Sequence, residues 1–274
     1  MHKAQKHIRQ IMPSVDVVIE VLDARLPFSS ANPMIETLRG NKPFLKVISK
    51  SDLADQGITE LWLTELKQHK NTQALAISTD KPALARQIPN TIRQLAGERK
   101  NKARAIKALI MGIPNVGKST LINLLAGKKI AAVGNEPAIT KDQQTIRISE
   151  DIQLIDSPGM TWPGSKNETV NYRLALSGAI RDTALSYDDV GLFAAEFMAE
   201  RYPERILNTY QLNELEKEAW QILEQIAGKR HCLKKGTADF LRVGELLVRD
   251  IRAGKLGALS FEKPGADTEL EKMS

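Results

Sequence analysis

The chain has 274 residues, 42% of them hydrophobic and 26% charged, with a net charge of +6 and a single cysteine. Its length exceeds the usual single-domain mode of roughly 100–150 residues, and its composition excludes a mainly disordered chain, so two unequal cores are expected. One thiol, Cys232, excludes an internal disulfide, and its KRHCLKK surroundings offer no second thiol for zinc.

The amino terminus MHKAQKHIRQ has charges but no apolar signal core, and no later run approaches the roughly 18 apolar residues of a membrane span. A cytoplasmic location with no membrane partner is the expectation. The pI near 9.3 favours a polyanionic partner without proving one.

VDVVIEVLDA (15–24) and KPFLKVIS (42–49) are rich in Val and Ile and end in polar residues, as buried parallel strands do; ALAIS (74–78) is a third. Between the second and third, ITELWLTELKQH has helical spacing. PALARQIPNTIRQLAGERK follows in the same style, with Pro89 interrupting it. This alternation predicts a parallel sheet. GERKNKAR (97–104) reads as a surface connection, after which AIKALIMG is a strand, STLINLLAG a helix, and QQTIRI and IQLID two more strands, about six in all. Beyond PGMTWPGS the strand signals stop. VGLFAAEFMAERY, LNELEKEAWQILEQIAG and TADFLRVGELLVRDIRAG then carry apolar residues at i, i+3, i+4. The expected organisation is an α/β domain over residues 1–178, a small all-helical domain over 179–262 and a mobile tail over 263–274.

GIPNVGKS (112–119) fits the pattern G-x-x-x-x-G-K-[ST], placed between a predicted strand and a predicted helix, where backbone N–H groups surround phosphate oxygens. Asn115, Val116 and Gly117 form the cradle. Lys118 would neutralise the β- and γ-phosphates, Ser119 would ligate Mg²⁺ and Thr120 would reach the α-phosphate. Downstream, IDSPG ends a strand, with Asp156 placed to hold Mg²⁺ through water and Gly159 to offer its N–H to the γ-phosphate. Turns also mimic D-x-x-G. Thr140, in NEPAITKDQQ, stands where a switch threonine would cap Mg²⁺, or is an ordinary loop threonine.

A phosphate cradle does not choose its base. KVISKSDLAD contains Asp52, which at a strand end would accept from N1–H and N2–H of guanine, and Lys50, whose stem would cross the base; Ser49 and Ser51 flank them. AIST adds Ser78 near the guanine O6. Lysine and aspartate two apart are common on solvated turns, and both elements lie upstream of the phosphate loop instead of downstream. Coincidence is open; a circular permutation that keeps the sheet accounts for both elements with one assumption.

DARLPFSSANP, the early K-x-D, GIPNVGKSTLINLLAG, VGNEPAITKDQQ, DSPGMTWP and the terminal RDIRAGKLGALSFEKP, in this order, resemble the circularly permuted YlqF/RbgA ribosome-biogenesis GTPases over nearly the whole chain. The resemblance implies a P-loop GTPase sheet with permuted motifs and a helical domain that contacts ribosomal RNA during large-subunit maturation. It implies GTP and GDP as ligands, the large-subunit precursor and its rRNA as partners, and, through Asn115, a potassium ion beside the phosphates. Met160 stands where many GTPases carry the glutamine that orients water, and a thioether cannot do that. The family role falls to a histidine in an F-P-G-H-M segment, and this sequence opens at what matches its methionine; His2 and His7 do not align with it. The catalytic group is therefore left unassigned. Ser49 replaces a usual asparagine, which would weaken guanine affinity, and Ala138 a usual glycine.

KRHCLKKG, with Lys234 and Lys235, and then Arg242, Arg249, Arg252 and Lys255, make the last domain a candidate for RNA phosphates, with a solvated face as the alternative. Arg249 and Arg252 are three apart and are expected on one helical face. The leading expectation is a GTP-hydrolysing assembly switch. A guanine-nucleotide-dependent RNA-binding module with little hydrolysis is the second, and a P-loop ATPase or nucleotide kinase the third.

Overall fold

Runs of Val, Ile and Leu in the first half form strands β1 (Val17–Asp23), β2 (Phe44–Ser49) and β3 (Thr72–Ala76), and the second block adds β4 (Ile106–Met111), β5 (Gln144–Ser149) and β6 (Ile152–Asp156). The structure is a computed structural model and describes residues 2–78, 80–98, 104–128, 144–157, 167–180 and 186–265. The six strands make one sheet in the order β3-β2-β1-β4-β6-β5. Every neighbouring pair is parallel except β5 with β6. All seven residues of β1 are buried, as a central strand covered on both faces requires.

The register sets Asp23 beside Ser49, and Ile110 beside Asp156. Because these strands are parallel, the carboxyl ends of β2, β1, β4 and β6 lie along one edge in that order. The early K-x-D segment follows β2 and the phosphate loop follows β4, so a single strand, β1, separates them. The permuted order of motifs is thus compatible with an ordinary sheet.

Helices α1 (His2–Ile11) and α2 (Pro33–Arg39) belong to a core of Ile8, Met12, Ile35, Val18, Phe44, Leu109 and Ile155. Helix α3 (Gln56–Lys67) packs Trp62 and Leu66 on Leu22, Ile48 and Ala74. Pro89 lies in the first turn of α4 (Ile88–Ala96), where its missing N–H removes no intrahelical bond; a 3₁₀ turn, Pro82–Gln87, precedes it. The expected interruption is this 3₁₀-to-α boundary. Helix α5 (Lys118–Ala126) follows the phosphate loop. Between the two apolar clusters, Glu20 is buried on β1, pairs with Lys46 at 3.2 Å across the strands and accepts from Asn32 N at 2.8 Å. That pairing satisfies a charge that would otherwise be costly inside a sheet.

Contacts divide the chain into Met1–Ser165 with Glu262–Ser274, and Lys166–Phe261. The first boundary falls earlier than the expected 178, because α6 (Glu168–Ser177) buries Val170 and Leu174 and packs with α7 (Tyr187–Arg201) and α10 (Phe240–Arg252). The second unit also contains α8 (Pro203–Tyr210) and α9 (Ala219–Arg230). Helices α7 and α10 meet at Gly191 and Gly244. A Cβ on Gly244 would lie 2.1 Å from the Tyr187 carbonyl oxygen, so the crossing admits only glycine there.

This unit was expected to be all helical. It also holds a hairpin of β7 (Leu233–Lys234) and β8 (Thr237–Ala238), whose turn residues Lys235 and Gly236 both have positive φ. Two-residue turns of that hand match the twist of the strands they join and favour glycine, here Gly236, where φ is positive. Residues 266–274 of the expected tail lie outside the described residues, whereas Glu262, assigned to the helical domain from sequence, groups with the sheet unit.

Candidate nucleotide site

Strand β4 ends at Met111 and α5 begins at Lys118, leaving residues 112–117 to turn between them. Asn115 and Gly117 both take left-handed backbone conformations, φ 61° and 94°, the kind of turn that gathers successive N–H groups into an anion-binding concavity. No side chain caps the amino end of α5, so its first N–H groups and the positive end of its dipole are available to a phosphate. Val116 is buried, and Ser119 and Thr120 are half-buried in the first turn of α5.

Lys118 is nearly buried; its Nζ ion-pairs with Asp156 and donates to the Ser157 carbonyl at 3.1 Å. Asp156 is 1% exposed, at the end of the neighbouring strand β6. A carboxylate and a hydroxyl, Asp156 and Ser119, are hard oxygen donors of the kind Mg²⁺ takes. No group of three or more His, Cys, Asp or Glu suited to a metal occurs among the described residues. Two such oxygen donors fit an ion that takes most of its other ligands from phosphates and water, as Mg²⁺ does in nucleotide sites. Thr140, Gly159, Met160 and Ala138 lie outside the described residues.

The base-side residues meet the phosphate loop directly. Ser49 Oγ directs its one proton to the Leu22 carbonyl, at 2.9 Å, and the Val116 carbonyl, which share it. A Cβ on Gly117 would sit 3.3 Å from that hydroxyl. Ser49, where the family resemblance expects asparagine, thus ties the end of β2 to the loop after β4. Lys50, itself left-handed at φ 56°, donates from Nζ to the Asn115 carbonyl at 2.6 Å and to Asp23 Oδ2 at 2.8 Å. That anchoring stretches its stem beside the loop.

Asp52 is exposed in the 3₁₀ turn Ser51–Leu53. Ser51 N donates to the Ile77 carbonyl at 3.1 Å, which joins this turn to the segment after β3, and Ser78 is buried there with its Oγ accepting from Asp80 N. The structure therefore brings Ser49 and Lys50 together with Asn115, Val116 and Gly117, Ser51 with the segment after β3, and Lys118 with Asp156.

Asp23 and Arg25 belong to DARLPFSSANP, a stretch to which the sequence alone assigns no role in the site. Arg25 donates to Asp23 from Nε at 2.9 Å and Nη2 at 2.8 Å, and both side chains are almost wholly buried. Burial alone would raise the Asp23 carboxyl, but the charges of Arg25 and Lys50 outweigh it and hold the acid far below the usual carboxylate range. Burial likewise opposes the Arg25 cation, and Asp23, with a further contribution from Asp52, more than reverses that. The sequence signal was available: a charged D-A-R triplet at the end of a strand of mostly apolar residues has no apolar-core explanation.

In the second unit, Lys234 and Lys235 are exposed at the hairpin turn, and Arg242 is exposed on α10. Arg249 is 73% exposed and pairs with Glu245. Lys255 pairs with Asp250 at 2.6 Å. Arg252 differs from Arg249: its Nη2 donates to the Ala175 carbonyl at 2.7 Å and its guanidinium lies against Gly178, so it closes the carboxyl end of α6. His7 is exposed on α1. No helix among the described residues is long and apolar enough to cross a membrane.

A phosphate loop between a strand and a helix, with a K-x-D turn bound to its backbone from two strands away, defines a P-loop GTPase whose base-reading half precedes its phosphate-binding half. Residues 107–230 match the family model described as 50S ribosome-binding GTPase. The chain is 40% identical over 273 residues to Ribosome biogenesis GTPase A of Priestia megaterium, covering 96% of this chain and 94% of that one, and 41% identical to its counterpart in Bacillus cereus, covering 96% and 92%. The crystal structure of GNP-bound YlqF from T. maritima superposes with a TM-score of 0.67 at 26% identity, over 96% of this chain and 98% of that one. The chain belongs to the Ribosome biogenesis GTPase A (YlqF/RbgA) family and is a ribosome-biogenesis GTPase. The ATPase and nucleotide-kinase alternatives are set aside by this membership.

Proposed function

We propose that this GTPase matures the large ribosomal subunit from the cytoplasm, docking its Lys166–Phe261 unit on precursor rRNA in the GTP-bound state and leaving after hydrolysis. The observation that carries the nucleotide half is the pair of bonds from Lys50 to the phosphate-loop carbonyl and to Asp23. The large-subunit target is supported by the words 50S ribosome-binding in the description of the matching family model, and RNA docking by the exposed cations Lys234, Lys235, Arg242 and Arg249. Arg252 serves α6 in this reading, and Lys255 is shared with Asp250.

Ser119 and Asp156, with Thr140, would hold Mg²⁺, which supplies charge neutralisation between the phosphates. Lys118 would leave Asp156 for the β- and γ-phosphates, so binding exchanges one buried ion pair for another. Asn115 would offer its side chain to K⁺ beside the phosphates, the place of an arginine finger. Asp52 would accept from the guanine edge, with Ser78 near O6, and Gly159 would meet the γ-phosphate. Relaxation of the segments carrying Thr140 and Gly159 after hydrolysis would then release the particle.

The test is GTP turnover with and without large-subunit precursor particles, in potassium and in sodium. Turnover is expected to rise with particles and to rise further in potassium. Absence of stimulation by particles in both salts would overturn the assembly role. Replacing Lys234, Lys235 and Arg249 together by alanine should flatten the dependence of particle binding on salt, with GDP affinity unchanged.

A further inference from the structure

Glu262 is the first residue after the second unit, and its side chain has no part in phosphate or base binding as read above. It is nonetheless completely buried. Its Oε1 accepts from Ser29 N at 3.0 Å and from Phe28 N, its Oε2 accepts from Ser29 Oγ at 2.7 Å, and its carbonyl accepts from Trp62 Nε1 at 3.2 Å. A carboxylate removed from water needs such donors, and here they come from a loop more than 230 positions earlier.

That loop follows Asp23, whose carboxylate holds Lys50. Ser30 Oγ, next to the clasped pair, accepts from Asp23 N at 3.0 Å, and Ser30 N donates to the Leu26 carbonyl at 2.9 Å. Leu26 N in turn donates to the Asp23 carbonyl at 3.0 Å. Asp23 is thereby fixed at its backbone on both sides, and its carboxylate is fixed by the fork of Arg25. Only in that position does Oδ2 meet Lys50 Nζ at 2.8 Å while the same ammonium reaches the phosphate-loop carbonyl. A chain of short contacts runs from Glu262 through residues 28–30 and Asp23 to Lys50.

We propose that Glu262 is a positioning residue for guanine-nucleotide binding: it holds the loop 24–30 so that Asp23 fixes the Lys50 stem where it crosses the base. This rests on Lys50 being the base-side lysine, as read above. Glu262 touches neither nucleotide nor metal. Its influence passes through Lys50, so its loss costs nucleotide affinity chiefly while Lys50 is present.

The experiment is a double-mutant cycle on the full chain, reading the affinity for fluorescently labelled GDP, with thermal unfolding followed in parallel. Glu262→Ala and Lys50→Ala are each expected to weaken binding about 10-fold, and the double variant to be no weaker than Lys50→Ala by more than about 2-fold. Glu262→Gln should fall between wild type and Glu262→Ala, because its amide oxygen still accepts from the Phe28 and Ser29 N–H groups. Ser29→Ala, which keeps the loop backbone and removes only the hydroxyl bond, should weaken GDP a few-fold and likewise lose its effect in the Lys50→Ala background. It serves if Glu262→Ala does not fold. Fully additive losses, or a normal GDP affinity in both Glu262→Ala and Ser29→Ala, would overturn the positioning role while leaving Lys50 as the base-side lysine. A normal affinity in Lys50→Ala would overturn that assignment and the proposal with it.

Discussion

At the amino edge of the sheet, Asp151 receives Arg93 through bonds of 2.8 and 2.9 Å, with side chains 43% and 41% exposed; at the carboxyl edge, Asp156 receives Lys118 with exposures of 1% and 9%. Asp16 and Arg104 repeat the first arrangement, and Asp23 with Arg25 and Lys50 repeats the second. The residue types are the same. An exposed pair contributes about 0–1 kcal/mol and costs little to keep. A buried one loses several kcal/mol of hydration per ion that the pairing does not fully return, so removing both charges is often neutral for stability. Glu20 with Lys46 is buried within the sheet, but of these edge pairs the buried ones lie where a polyanion arrives, so the contrast points to the same edge as the motifs.

The contrast is broken most severely by Lys118→Ala. Loss of the cation that would meet two phosphates should weaken GTP by about 4–5 kcal/mol, roughly a thousand-fold or more, measured by nucleotide titration. A retained affinity would remove the loop after β4 from nucleotide binding. Asp52→Asn comes next, at about 3 kcal/mol or roughly 100-fold against GTP, since two bonds to a charged acceptor are exchanged for weaker ones. The amide offers a donor to a 2-oxo group, so xanthosine nucleotide should gain relative to GTP. Unchanged GTP affinity would dismiss Asp52 as the base reader. Ser49→Ala sharpens the comparison instead of breaking it: losing the hydroxyl that ties β2 to Val116 should cost about 1 kcal/mol, roughly 5-fold in GTP affinity. An equal affinity would mean that the sheet alone holds the two halves in register.

How much of this was visible in the sequence varies with the physics of each part. The strands were legible because parallel strands buried on both faces read as near-continuous apolar runs, as in ALIM and in VVIEVL, which only Glu20 interrupts. The phosphate loop was legible because its glycines and lysine sit at fixed spacing. Meeting of Lys50 with Asn115 was readable only as a consequence of permutation, since nothing local in SKSD encodes a partner 65 positions away. Three things escaped. The turn at Lys235 and Gly236 joins strands of two residues each, too short for a periodic signal. Arg252 shares spacing with Arg249, yet α6 claims it, and a helical face cannot be split between solvent and a neighbour by spacing alone. Glu262 stood at the end of the expected helical domain, and only the folded chain shows the loop that buries it.

The smallest expected effect lies at the amino edge, where Arg93→Ala should change stability by no more than about 1 kcal/mol and leave GTP affinity untouched. Hydrogen bonds from Arg93 oppose a slight burial penalty and hold the Asp151 carboxyl below the usual carboxylate range. A carboxyl whose folded pKa is depressed contributes stability above its unfolded value, about 3.9, and loses that contribution as pH falls through the lowered folded value. Wild type should therefore lose its small advantage over Arg93→Ala on going from pH 7 toward pH 2, and the difference should also shrink in high salt because both groups face solvent. Denaturant unfolding at several pH values and ionic strengths measures it. An Arg93→Ala loss of several kcal/mol, or any fall in GTP affinity, would mean that the two edges are coupled through β4 and β6 and that burial is not what distinguishes them.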